Sequence, residues 1–185
     1  MSLPNKHVIT TFEFDNTDWL IEKIQRKASK DQSKTSIRLN RAYCGVYQPW
    51  RVGRNDFEPL RLALVPKVRE VLGEEDLWIS RDIWGLNYLN GEGTAPHCHQ
   101  GARYSAIWYL RADEGCGTLE FSNPDMEIVP ENNMLILFDA DWYHGVLPNT
   151  VKDAQRTCIA MNIHRVTELS HFNDERGFYT PDVSL

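Results

Sequence analysis

The chain has 185 residues, 42% of them hydrophobic and 25% charged, which suits one globular domain with a substantial core. Acidic residues outnumber basic ones 26 to 20, and a formal charge of -6 argues against a general nucleic-acid binder, because phosphate binding needs a basic surface. The longest apolar runs, such as MLILF at 134–138, are far too short to span a bilayer.

The opening MSLPNKHVITTFEF has no long apolar signal region, and Cys44, Cys98, Cys116 and Cys158 form no CxxC pair. Reduced thiols in a cytoplasmic compartment are therefore expected. HVITTFEF (7–14) alternates and predicts a strand. Asp15, Asn16 and Thr17 then offer caps for a helix through DWLIEKIQRKA, with Leu20, Ile24 and Ala28 on one face. Residues 29–55 are polar and read as a long connection with room for one short strand. DFEPLRLALVPKVREVLG predicts a second helix, with Pro59 in its first turn, a kink at Pro66 and a stop at Gly73.

From residue 77 the character changes. LWISRDIWGLNYL, RYSAIWYL, GTLEFS, MEIVP, NMLILFD, HGVLP and RTCIAMNIHR are short β-branched and aromatic runs punctuated by Gly, Pro, Asn and Asp. Strands this short after a helical start predict an antiparallel sandwich or barrel backed by helices. The tail ELSHFNDERGFYTPDVSL is polar and reads as an extension.

The chemistry concentrates around GTAPHCHQGARYSAIWYL at 93–110. On a strand, residues two apart share a face, so His97 and His99 would point one way and Cys98 the other. Two imidazoles so spaced can chelate one transition metal, with further ligands supplied from elsewhere. His144, in LFDADWYHGVLPN at a strand mouth, is well placed as the third. A Cys98/Cys116 zinc site fails on spacing. In RTCIAMNIHR, alternation puts Arg156, Cys158, Ala160, Asn162 and His164 on one face. An arginine inside a barrel is costly unless it meets an anion, and a guanidinium fits a carboxylate bidentately. Trp84, Trp108 and Trp142 read as core or pocket wall, His164 as a core or rim residue, and His7 and His171 as surface.

The ordered set HCH, SAIWYL, GTLEF, NMLILFDADWYHGVLPNT and QRTCIAMNIHR resembles the iron(II)- and 2-oxoglutarate-dependent oxygenases, particularly small prolyl-hydroxylase-like members. The resemblance covers about residues 77 to 166. It implies a mostly β fold with flanking helices, built on a double-stranded β-helix (jelly-roll). The single domain then divides into mainly helical support at 1–76, a catalytic core at 77–166 and a tail at 167–185. By the same resemblance His97 matches the first metal ligand and His144 the distal one. Arg156 matches the residue pairing with the far carboxylate of 2-oxoglutarate, and Tyr109 a tyrosine that helps hold it. Tyr88 matches another cofactor-contacting position, which a one-residue shift would hand to Asn87.

Two departures stand out. His99 occupies the position of the usual aspartate, so it either completes a neutral three-histidine face or orients a neighbour. Cys158 stands where relatives often carry serine, which alters the hydroxyl contact to the cosubstrate. Arg103, read as sharing a strand face with Ser105, is a candidate for the substrate mouth.

The implied activity is hydroxylation of a substrate C–H by Fe(II) and 2-oxoglutarate, releasing succinate and CO2. A small molecule or peptide is the expected substrate, without membrane or nucleic-acid partners. Two other readings use the same residues. One is a cupin-like three-histidine dioxygenase that does not use 2-oxoglutarate, in which Arg156 has no cosubstrate role. The other is a non-catalytic jelly-roll binding module whose histidines hold a structural metal.

Overall fold

A computed structural model describes residues 7–31, 58–89 and 91–166. The connection at 32–57, including Cys44, and the tail at 167–185, including His171, lie outside the described residues. Two antiparallel sheets form the body. The larger contains β1 (His7–Thr11), β2 (Leu77–Tyr88), β4 (Tyr104–Ala112), β7 (Met134–Asp139) and β9 (Arg156–Arg165), in the order β1-β7-β4-β9-β2. The smaller contains β3 (Thr94–His97), β5 (Leu119–Ser122), β6 (Asp125–Ile128) and β8 (His144–Val146), in the order β3-β8-β5-β6. This is the antiparallel architecture expected from the short punctuated runs, and the jelly-roll that the family resemblance implies.

The central strands β4 and β9 bury both faces, because a different layer covers each. Towards the smaller sheet, Ile107, Tyr109, Phe138, Cys158 and Ala160 pack with Leu119 and Phe121. On the other face, Trp108, Leu137, Ile159, Met161 and Ile163 pack against the helices α1 (Thr17–Asp31) and α2 (Glu58–Leu72). The expected alternation on β9 therefore holds from Cys158 to Ile163. Double coverage also explains why these strands read as continuous apolar runs rather than as an alternating pattern.

Helix α1 begins at Thr17 after Asn16 adopts a φ of 58°. It continues to Asp31, past the predicted end and into what the sequence suggests is connection. Leu20 and Ile24 are buried as expected. Pro66 lies inside the single helix α2. The carbonyl that its missing N–H leaves unbonded belongs to Leu62, which is 53% exposed, so water can satisfy it. Gly73, with a φ of 67°, ends the helix, and its N–H donates to the Arg69 carbonyl at 2.8 Å.

Two strand limits differ from expectation. β1 stops at Thr11, and the Phe12 N–H makes one last bond in the same register, to the Asn133 carbonyl at 2.9 Å. β3 is a strand the propensities do not reveal, because it is four residues long and contains Pro96. It lies at a sheet edge, where a missing N–H costs no ladder bond.

Gly85 on β2 marks where α1 meets the sheet: an added Cβ would lie 2.6 Å from Ile24 Cγ1. Gly85→Ala should destabilise the fold by about 1–3 kcal/mol in urea titrations, as overpacking typically does. Ile24→Ala in the same chain should relieve that clash, so the pair should cost less than the sum of the singles. Full additivity would show that the two positions do not touch.

Candidate metal centre and anion pocket

Sheet pairing brings the first two histidines together. His97 ends β3 and His144 begins β8, and they are directly opposite in the antiparallel register. His99 lies beyond the end of β3, so strand parity places neither it nor Cys98, a half-buried free thiol. A turn brings His99 back instead, with its N–H donating to the Ala140 carbonyl at 2.8 Å. One ligand atom from each histidine then lies within 4.8 Å of the others.

Hydrogen bonds determine which nitrogen each ring offers. His97 Nδ1 contacts the Ala95 carbonyl at 3.0 Å, His144 Nδ1 the Trp142 carbonyl at 2.9 Å, and His99 Nδ1 the Asn162 side-chain oxygen at 2.7 Å. These oxygens only accept, so each Nδ1 carries the proton and each Nε2 is a bare lone pair. His97 and His99 bring their Nε2 atoms to 3.2 Å. Lone pairs this close repel, and a shared cation removes the repulsion.

Burial, first among the causes, pushes the His144 pKa down to about 3, and the neighbouring His97 and His99 act in the same direction. His99 is likewise lowered, first by burial and then by His97, against the Asn162 hydrogen bond. Both rings are neutral at pH 7, as metal ligands must be. Phe138 packs edge-on to His144 at 4.7 Å, and Trp84 stacks on His99 at 5.6 Å, making Trp84 pocket wall as expected.

The pocket lined by the three rings, Trp84, Ile107 and Tyr88 encloses about 480 Å³ of space, part of it open to solvent. Among the described residues no aspartate or glutamate lines it. Behind Tyr88, at the start of β9, the Arg156 side chain is completely buried. Its Nη1 donates to the Gly117 carbonyl at 3.1 Å, and its Cζ lies 4.3 Å from the Tyr88 ring. Its Nε and Nη2 have no hydrogen-bond partner among the described residues. Gly117 has a φ of 87°, and a Cβ there would lie 2.1 Å from the Leu147 carbonyl oxygen, so no other residue could hold this carbonyl in place.

The neighbours do not neutralise Arg156. Burial, its largest cause, holds the Tyr109 hydroxyl well above its ordinary value, and Cys158 raises it further while Arg156 opposes. Burial pushes the Cys158 thiol up to about 12. Both stay protonated beside the guanidinium, leaving a buried cation and no anion among the described residues that contact it.

Two of the sequence candidates fall elsewhere. Asn87 faces the helix side, where Thr157 Oγ1 donates to its Oδ1 at 2.7 Å, so Tyr88 rather than Asn87 lines the pocket. Arg103 precedes β4, and its guanidinium sits 4.0 Å from Asp139 and 4.7 Å from the Tyr104 ring centre, away from the pocket lining. His164 is buried outside the triad, and His7 is exposed near Trp142. Sequence reasoning passed over two contacts. Asn162 reaches His99, and its inner-face parity on β9 was the available signal. Thr94 reaches the Tyr88 hydroxyl at 2.7 Å, and nothing in the sequence marks it.

No protein-family model and no curated protein sequence matches the chain. Solved structures do. A viral collagen prolyl hydroxylase from Paramecium Bursaria Chlorella virus-1, in complex with 2OG, is 16% identical, with a TM-score of 0.58 over 86% of this chain and 95% of that one. A Trichoplax adhaerens prolyl hydroxylase, in complex with a hypoxia inducible factor peptide fragment, is 17% identical, with a TM-score of 0.59 over 89% and 86%. A Pseudomonas putida prolyl-4-hydroxylase is 17% identical, with a TM-score of 0.55 over 88% and 94%. The likeness shows that this chain has their jelly-roll fold.

The depressed histidines predict the pH response of the metal-free protein. Unfolded, His144 titrates near 6.5; folded, near 3. Between those values the unfolded chain binds the extra proton, so stability falls as pH falls, with no contribution above that window. The urea midpoint should drop from pH 6.5 towards pH 4, and less steeply in His144→Gln. Equal slopes would remove His144 as a source.

Proposed function

We propose that this chain is a non-heme iron(II)- and 2-oxoglutarate-dependent dioxygenase that hydroxylates a substrate C–H, with succinate and CO2 as coproducts. The observation that carries this reading is a buried guanidinium with two nitrogens unpartnered among the described residues, in the same barrel interior as three converging imidazoles. A buried unpaired charge is among the most destabilising features a fold can contain, and here a ligand carboxylate would complete it. A 2-oxoglutarate-independent metal dioxygenase or a plain binding module gives that arginine nothing to do.

The donor sets fit both groups. His97, His99 and His144 would hold iron through Nε2, with each Nδ1–H already bonded and the rings thereby oriented. Arg156 would receive the far carboxylate, and Tyr109, held protonated by burial, can donate to it. Cys158, also protonated, offers only a weak donor at the serine position. The Tyr88 ring lies against the guanidinium, 4.3 Å from its Cζ. Bound iron and 2-oxoglutarate supply the oxygen activation. Trp84, Ile107 and Phe138 keep water from the reacting centre. No carboxylate among the described residues lines the pocket, so they do not offset the metal's charge, which favours an anionic ligand.

The substrate would be a small molecule or a peptide, as the peptide held by the Trichoplax enzyme illustrates for this fold. Free thiols at Cys98, Cys116 and Cys158 support a reducing, cytoplasmic setting. Among the described residues no helix is long and apolar enough to cross a membrane.

Anaerobic addition of Fe(II) and then 2-oxoglutarate should produce a visible metal-to-ligand charge-transfer band. Its absence from folded, iron-loaded protein would overturn the reading. Arg156→Met should bind iron normally but lose 2-oxoglutarate affinity on the order of 100-fold, the scale of a lost charged hydrogen-bond pair. Without ligand, the same variant should be more stable than the wild type, because it removes an unpaired buried charge.

A further inference from the structure

We propose that Asn162 is the positioning residue of the metal centre: its side-chain oxygen selects the tautomer of His99, allowing an imidazole to serve where related sites carry an acid. The proposal rests on the three-histidine reading above and assigns a cause to its unusual member.

The three rings are not held alike. His97 and His144 each bond through Nδ1 to a carbonyl two residues earlier, within their own strand or its approach. That support is local and follows from backbone geometry. His99 lies on a loop beyond β3, and its Nδ1 partner is instead 63 residues away in sequence, on β9. Asn162 is level with Ser105 of β4, on the inward parity of β9. The side-chain oxygen of an amide accepts and cannot donate, so the proton must sit on His99 Nδ1.

The alternative tautomer is a competing state. With its proton on Nε2, His99 would donate directly to His97 Nε2, already 3.2 Å away. That bond would consume both lone pairs and close the site to metal. With its oxygen turned to the ring, Asn162 favours the metal-binding pair over the hydrogen-bonded histidine pair. Trp84 against the ring face and the Ala140 carbonyl on the backbone N–H fix the ring's place, but neither distinguishes its two nitrogens. A carboxylate at 162 would select the same tautomer and add a negative charge. The amide selects it without charge.

The test is Co(II) binding by calorimetry on the full chain, with Asn162→Leu and Asn162→Asp. Asn162→Leu removes the acceptor while keeping a branched side chain and should weaken Co(II) about 10–100-fold, the usual effect of losing a partner that orients a ligand. Asn162→Asp should restore wild-type affinity or exceed it. Imidazole nitrogen NMR of the metal-free protein should show His99 protonated on Nδ1 in the wild type and Asn162→Asp, but on Nε2 in Asn162→Leu. If Asn162→Leu does not fold, Asn162→Ala carries the same comparison.

Wild-type affinity in the acceptor-free variant would overturn the inference. So would an Asn162→Asp variant as weak as Asn162→Leu, which would mean that Asn162 only packs. Metal binding that survives His99→Ala but not His97→Ala or His144→Ala would overturn this inference alone. A wild-type chain that binds no Co(II) would overturn the three-histidine reading itself.

Discussion

Double burial of the central strands is the constraint on which this structure depends. β4 and β9 pack towards helices on one face and towards the smaller sheet on the other. Each residue on them therefore serves one of two purposes, decided by its parity. Ile159, Met161 and Ile163 anchor the helices, while Arg156, Cys158 and Asn162 between them turn the other way, to Tyr88, the smaller-sheet core and His99. A one-residue slip would exchange the two sets, placing a charged arginine against the helices and emptying the pocket of its polar groups. The same packing that makes the sheet stable thus fixes where chemistry can sit.

The interior tolerates polar groups that a purely structural core would exclude. Three imidazole lone pairs converge, and a guanidinium is buried without an anion among the described residues. Both arrangements raise the energy of the ligand-free protein, and both are relieved by opposite charge: a cation for the imidazoles, a carboxylate for the arginine. Such local violations of packing rules belong at functional sites, where a ligand completes what the protein leaves open. Gly117 shows how firmly the arrangement is held, since its carbonyl reaches Arg156 only where a side chain cannot fit.

The neutral character of the metal centre follows from the same interior. Burial holds His99 and His144 uncharged, and Asn162 contributes an amide where an acid could have stood. A divalent ion there would keep its full charge, and Arg156 adds to the positive potential from behind Tyr88. Anionic ligands are favoured, and the carboxylate the arginine lacks matches that preference.

Much of this was legible in the chain alone. Hydrophobic runs with Gly and Pro punctuation determined the strands, and a period of two determined which β9 residues face inward, because both signals are local and written in side-chain type. His97, His144 and Arg156 could be singled out for the same reason: each is a polar residue in an otherwise apolar strand or at its mouth. Tertiary structure alone decided the rest. β3 carries a proline and too few residues to announce itself, so only pairing with β8 makes it a strand. Asn87 and Tyr88 are adjacent, and only the sheet's two covered faces sent one to Thr157 and the other to the pocket. His99 depended on tertiary structure most of all. No local pattern states which of its nitrogens is bare, because the answer lies in a hydrogen bond to a residue on a distant strand.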